Sequence, residues 1–184
     1  AIQTSSTIGK GGKGTVSAAC LIGQDKIGGL KNIKIAGVKV GLASRLNIDS
    51  LQVWARYELD GNNIFAKTIG SKQGQSVVKG WNEVQSLPVA MSDKPFYVGY
   101  TIYQKGACYA ISAVKPQHEQ GLMVNLDGTW ADSSKVSDAV LSIGAIITAD
   151  NMPTFDLGID SISMPERIQV GSAEPLTLQV TNHG

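Results

Sequence analysis

Residues 50–63 read SLQVWARYELDGNN, and the phase of that stretch decides the fold. Leu51, Val53, Ala55, Tyr57 and Leu59 fall on one side of an extended chain, and Gln52, Trp54, Arg56 and Glu58 on the other. That is the period-two alternation of a half-buried strand. Asp60-Gly61 follows directly, and such a pair between strand-like runs signals a hairpin, because glycine accepts the positive φ of a tight turn. Residues 50–70 are therefore expected to form a hairpin.

The same period recurs along the chain, in GTVSAACLI (14–22), IKIAGVKVGL (33–42), QSVVKGWNEVQSL (75–87), FYVGYTIYQ (96–104), CYAISAV (108–114), GLMVNL (121–126) and VLSIGAII (140–147). Within 33–42 the apolar phase slips from Ile33 and Ile35 to Val38, Val40 and Leu42, which predicts a bulge beside Gly37. KGA (105–107) and LDGTW (126–130) read as short turns, and ADSSKVSDAV (131–140) offers at most one helical turn. Strands punctuated by Gly, Asn, Asp and Pro, without strand-helix-strand alternation, define an all-β class. The expected architecture for residues 1–150 is an antiparallel β-sandwich of jelly-roll type.

TADNMPTF (148–155) breaks the pattern, since Asn151 and Pro153 oppose strand continuation. A linker and two further strands are expected in 151–184. The order Asp156-Leu157, Ile159, Ile162, Pro165, then Val170-Gly171, then Leu176, Leu178, Val180, Asn182 and Gly184 resembles the opening strands of bacterial adhesion-type Ig-like modules. The resemblance implies a fibronectin-like sandwich of which only the first two strands are present. Two such strands alone expose backbone edges, so residues 155–184 are expected to pack on the first domain, pair with a neighbouring chain, or be mobile.

The earlier segments GVKVGLAS (37–44), LQVWARYELDGNNIF (51–65), GWNEVQSLPVAMSDKPFYVGYTI (80–102) and DGTWADSSKVSDAVLSIGAIIT (127–148), in that order, resemble the β-sandwich accessory domains of bacterial surface proteins and secreted peptidases. This resemblance implies a non-catalytic module, positioned beside other domains of a parent chain at the cell surface or outside the cell. It names no ligand.

Composition narrows the function classes. With 16 Lys and Arg against 15 Asp and Glu the net charge is +1, and the lysines are scattered singly, which leaves no basic stripe for nucleic acid or an anionic membrane surface. No apolar run approaches the roughly eighteen residues a membrane-spanning helix needs. The start at Ala1 without Met fits a trimmed or processed chain. Cys20 and Cys108 are the only cysteines. Cys20 shares its phase with Val16, Ala18 and Ile22, which favours a small buried side chain; a disulfide between the two stays open.

Gly9-Lys10-Gly11-Gly12-Lys13-Gly14 matches G-x-G-x-x-G literally. A dinucleotide needs that loop at the start of a helix, and an alternating strand follows instead, so the segment is read as a flexible N-terminal lead. Cys108 and His118 are the only thiol and imidazole worth pairing for nucleophilic catalysis. Their context is a strand and a polar loop, and zinc-type spacing is absent.

Structural calcium is a candidate through Asp60, Asn62 and Asn63 in one turn, or Asn125, Asp127 and Asp132 in another. The plain alternative is that these are turn residues bonding their own backbone. No other cofactor is expected. For ligand binding the aromatics lead. Trp54 lies in the polar phase of its strand between Gln52 and Arg56, and an exposed indole there would stack on a sugar ring or a partner's side chain. Tyr97 and Tyr103, opposite in phase to Phe96, Val98, Tyr100 and Ile102, would join it. Alternatively, Trp54 covers the outer face by packing on Arg56 or a loop. Trp81 and Trp130 are read as staples of loops to the sheet. The leading expectation is a non-catalytic extracellular binding or spacer module for a glycan or protein ligand, an adhesin or a peptidase accessory domain. A carbohydrate-binding module and a hydrolase are the competing classes.

Overall fold

The computed structural model describes residues 6–60, 67–114, 121–133, 140–152, 157–163 and 177–182, the last two segments by backbone alone. The chain divides into two compact units, residues 1–150 and 151–184.

Unit one is an all-β antiparallel sandwich of two sheets. In chain order its strands are β1 (Ser6–Lys10), β2 (Gly14–Ile22), β3 (Lys34–Leu42), β4 (Ile48–Arg56), β5 (Lys67–Gln73), β6 (Gly80–Ala90), β7 (Phe96–Gln104), β8 (Cys108–Val114), β9 (Met123–Asn125), β10 (Trp130–Asp132), β11 (Val140–Leu141) and β12 (Ile143–Thr148). One turn of helix, α1 (Gln24–Ile27), which the sequence reading missed, follows β2.

Sheet II runs in the order β10-β9-β2-β7-β4-β5. In sheet I, β3 pairs with β6 and β12, while β8 pairs with β1 and β11. At Ser142 the chain changes partner: its N–H donates to the Ser112 carbonyl at 3.0 Å, and its carbonyl accepts from Gly41 N–H at 2.8 Å.

The predicted bulge is present. Ile146 and Ile147 of β12 face Gly37 and Ile35, leaving Ala36 as the extra residue of β3. The slip lets Ile35, Val38, Val40 and Leu42 all face the core. From sheet II, Leu51, Val53 and Ala55 meet them together with Phe96, Val98, Tyr100 and Ile102, all fully buried. Each such large side chain contributes about 1.5–3 kcal/mol relative to exposure.

Other expectations need correction. β4 and β5 do pair as a hairpin, but the last paired residues are Ala55 and Lys67. Residues 57–66 connect them, of which 61–66, Gly61 included, lie outside the described residues, and the ladder stops at Arg56, short of Leu59. The KGA turn joins β7 of sheet II to β8 of sheet I, so it is a crossover between layers. LDGTW does close a hairpin, β9 with β10. Most of ADSSKVSDAV lies outside the described residues.

The glycine-rich start is no flexible lead. Gly9 and Lys10 belong to β1, which pairs with β8, and a Cβ on Gly9 would lie 2.0 Å from the Cys108 carbonyl oxygen. Buried Gln104 fastens the following loop, its Nε2 donating to the carbonyls of Lys10 at 3.0 Å, Gly106 at 2.9 Å, and Gly12.

In unit two, β13 (Leu157–Ser163) and β14 (Thr177–Asn182) form an antiparallel ladder with a register shift between Ile159 and Ser161. Pro165, Gly171 and Leu176 of the Ig-like pattern lie outside the described residues.

Fully buried Asn82 organises the turn before β6. It accepts from Val78 N–H at 2.9 Å and donates to the Val78 and Gly80 carbonyls at 2.8 and 3.1 Å. Asn82→Ala orphans the two Val78 groups, and chemical denaturation should show a loss of about 2–3 kcal/mol.

Candidate functional site

The outer face of sheet II carries the aromatic residues singled out from the sequence. Trp54, Arg56 and Gln52 project from β4, while Tyr97, Gly99, Thr101 and Tyr103 project from its neighbour β7, with Trp54 opposite Gly99 and Arg56 opposite Tyr97. Glycine is required there, because a Cβ on Gly99 would stand 2.5 Å from Trp54 Cη2. The indole lies in that vacated space, and its N–H donates to Thr101 Oγ1 at 3.0 Å. Thr101 in turn sits 2.8 Å from the Ser17 hydroxyl.

Trp54 is therefore no exposed platform. Only 2% of it is accessible. The Arg56 guanidinium carbon covers its ring at 4.1 Å from the centroid, and Trp130 meets it edge-on at 5.9 Å. Leu59 and Ala19 complete this cluster, with Tyr97 and Met123 packed against it. The reading of Trp54 as a cover packed on Arg56 and a loop is the one the structure supports. Trp130 belongs to strand β10 and packs on Trp54, whereas Trp81 is half exposed.

What remains open to a partner on this face is the rim. Tyr103 is 41% exposed, and its hydroxyl donates to Gln52 Oε1 at 3.2 Å. Arg56 has no ion-pair partner among the described residues, and its Nε is buried without a hydrogen bond there. Desolvation lowers the Arg56 pKa and Tyr103 opposes the shift, but a guanidinium stays charged in either case. Arg56 is thus a cation held over an indole, with hydrogen-bonding capacity to spare.

Two of the calcium candidates, Asn125 and Asp127, bond the backbone of their own turn. Asn125 Oδ1 accepts from Gly128 N–H at 2.8 Å, and Asp127 Oδ1 from Thr129 N–H at 3.3 Å. Asp132 ends the β10 strand, Asp60 closes the described part of its loop, and Asn62 and Asn63 lie outside the described residues. Among the described residues no three His, Cys, Asp or Glu side chains come together.

Both cysteines are free and buried, and His118 lies outside the described residues. Burial pushes the Cys20 thiol from 9.0 to about 12. It also raises Cys108, against a weaker lowering by a backbone hydrogen bond from Ala110. These are poor nucleophiles, since the thiolate is the reactive form. Among the described residues no helix is long and apolar enough to cross a membrane.

Sequence reasoning missed a second concavity, between the β3–β4, β5–β6 and β7–β8 connections, where Arg45, Lys79 and Lys105 line adjoining cavities. Each cation sits in an ordinary turn, and no local pattern announces that the three meet.

No family model and no curated protein matches this chain. Two solved structures share its fold. One contains the cysteine protease and lectin-like domains of Cwp84, a surface layer associated protein of Clostridium difficile; it aligns with a TM-score of 0.54 and 11% identity, over 73% of this chain and 32% of that one. The other is a clostridial cysteine protease Cwp84 after propeptide cleavage, with a TM-score of 0.58 and 12% identity, over 80% of this chain and 38% of that one. The chain thus spans only 32–38% of the chains it matches.

Two measurements test the site chemistry. Gly99→Ala should displace the indole and cost about 1–3 kcal/mol by overpacking, with a changed tryptophan emission spectrum; an unchanged spectrum and stability would refute the seat. For Cys20, the folded chain keeps its proton between pH 9 and about 12 while the unfolded chain releases it, so its contribution to stability is lost as pH rises through that window. At pH 8 a thiol reagent should label Cys20 slowly in the native protein and fast in denaturant.

Proposed function

We propose that this chain is a non-catalytic binding module of a larger secreted or surface-attached bacterial protein, serving beside a peptidase domain. The observation that carries the reading is the shared sandwich fold: one of the matched structures contains cysteine protease and lectin-like domains, and an all-β unit covering 32% of that chain suits the lectin-like part. The two buried thiols, held protonated within strands, support a role outside catalysis.

The ligand in this reading is a glycan or a protein surface. It meets the rim formed by Arg56, Tyr97 and Tyr103, with Trp54 as the buried base that stiffens Arg56. A stacked guanidinium and a phenol suit sugar hydroxyls, because both donate hydrogen bonds beside an apolar surface.

Retention of the purified chain on bacterial cell walls, together with a glycan array, tests the proposal. Wild type should be retained, and Tyr103→Ala and Arg56→Ala should weaken retention about tenfold, equivalent to roughly 1.4 kcal/mol. Peptide hydrolysis by this chain alone, abolished by Cys108→Ser, would overturn it.

A further inference from the structure

Three connections meet at one end of the sandwich, and the cleft between them is lined by groups that suit a charged sugar chain. A cavity of about 380 Å³ is bounded by Arg45, Asn47, Asp49, Gln73, Gln75 and Lys105, among others. A second, of about 530 Å³, is bounded by Ser44, Arg45, Leu46, Asn47, Lys79 and Lys105. They share Arg45, Asn47 and Lys105, so they adjoin. Both volumes fall within the usual range of small-ligand sites, about 300–1,000 Å³.

The lining divides by chemistry. The first cavity is rich in side-chain amides, with Asn47, Gln73 and Gln75 beside the Asp49 carboxylate, and such groups pair donors and acceptors with hydroxyls. Arg45 and Lys105 stand where the cavities join, and Lys79 lines the second. Three cations face one carboxylate. Among the described residues the ion pairs are Lys26 with Asp25 and Lys39 with Glu83, so none of the three is neutralised by such a partner. On a chain of net charge +1 this is a local concentration of positive charge.

The frame holding these side chains is built tightly. Asn47 adopts φ +59°, a left-handed conformation uncommon outside glycine and easiest for asparagine. Its Nδ2 donates to the Ala107 carbonyl at 2.8 Å, and its carbonyl accepts from Lys105 N–H at 3.0 Å. The β3–β4 and β7–β8 connections are thereby pinned together. Gly74 packs so closely that a Cβ would lie 2.0 Å from the Ile48 carbonyl oxygen, which locks the β5–β6 connection against the start of β4. Buried Asn82 fixes the turn that bears Lys79. Backbone strain and interlocked loops around open charged groups are the features of a preorganised site.

We propose that this cleft binds an acidic glycan, the amide-lined cavity taking sugar hydroxyls and Arg45, Lys79 and Lys105 taking the carboxylate or phosphodiester groups of the polymer. Two adjoining cavities suit successive units of a chain better than one compact ion. The proposal concerns a surface other than the Arg56 rim and goes beyond the binding role assigned above.

Titration calorimetry on the intact chain distinguishes the outcomes, using oligogalacturonate as the carboxylated probe, poly(glycerol phosphate) as the phosphodiester probe and cellohexaose as the neutral control. At least one anionic polymer should bind, cellohexaose should not, and raising NaCl from 50 to 300 mM should weaken binding severalfold through screening. All three cations are exposed, so the Arg45→Ala, Lys105→Ala double variant and Lys79→Glu should keep the wild-type Tm while losing tenfold or more in affinity. Binding by either anionic polymer alone supports the proposal and identifies which anion is read. Equal binding of cellohexaose, undiminished affinity in the variants, failure of both anionic polymers, or tighter binding of duplex DNA would overturn it. Cell-wall retention that survives the double variant but falls with Arg56→Ala would also overturn it and leave the binding-module reading standing.

Discussion

Strand β7 carries the constraint on which the sandwich depends. Phe96, Val98, Tyr100 and Ile102 are its inward row, and none has measurable exposure. The strand lies between β2 and β4, with a continuous ladder to β2 and one to β4 that shifts register only between Ile48 and Ser50, so its register sets theirs. Because side chains alternate with period two, fixing four inward residues on the middle strand fixes which face of β2 and β4 meets sheet I. Burial extends even to the Tyr100 phenol, whose pKa desolvation raises far above its ordinary value.

The same alternation places Tyr97, Gly99, Thr101 and Tyr103 on the outward side, and there the sheet does something that periodicity does not encode. Gly99 leaves a hole, Trp54 fills it, and Arg56, Trp130 and Leu59 close over the indole. Sheet II is therefore covered on its outer face at this one cluster, while Tyr103 and Leu21 of the same face stay exposed. The outer cluster is small, and it removes the largest aromatic surface from solvent. At its edge the Arg56 guanidinium and the Tyr103 hydroxyl remain.

Much of the fold was legible because strand phase is written locally. The inward rows of β2, β4 and β7 follow from alternation, and the slip at Ala36 follows from adjacent apolar phases in β3. The LDGTW hairpin follows from its Asp-Gly pair, with Gly128 at φ +103°. Which sheet a strand joins is a different kind of fact. KGA reads as a short turn, and a turn of three residues can close a hairpin or, as here, carry the chain between layers. Trp54 lies on the face its phase predicts, and of its two readings the structure supports the cover packed on Arg56; phase alone left the choice open, because the rest of that packing comes from β10 and Leu59, distant in sequence or past the end of the ladder.

The charged cleft was illegible for the same reason in stronger form. Arg45, Lys79 and Lys105 are each a lone cation in a turn, and their meeting depends on three crossings between the sheets ending at one place. The sandwich places its main core between the inner faces of the two sheets. Its loop ends carry less of the packing, because their backbone is satisfied by local clasps such as Asn47 with Ala107 and Asn82 with Val78. Side chains standing on those clasps are free to change without disturbing the core rows. In this fold, then, stability is concentrated in the β7 rows and the Trp54 cover, while three exposed cations that form no ion pair among the described residues stand at the end where the connections interlock.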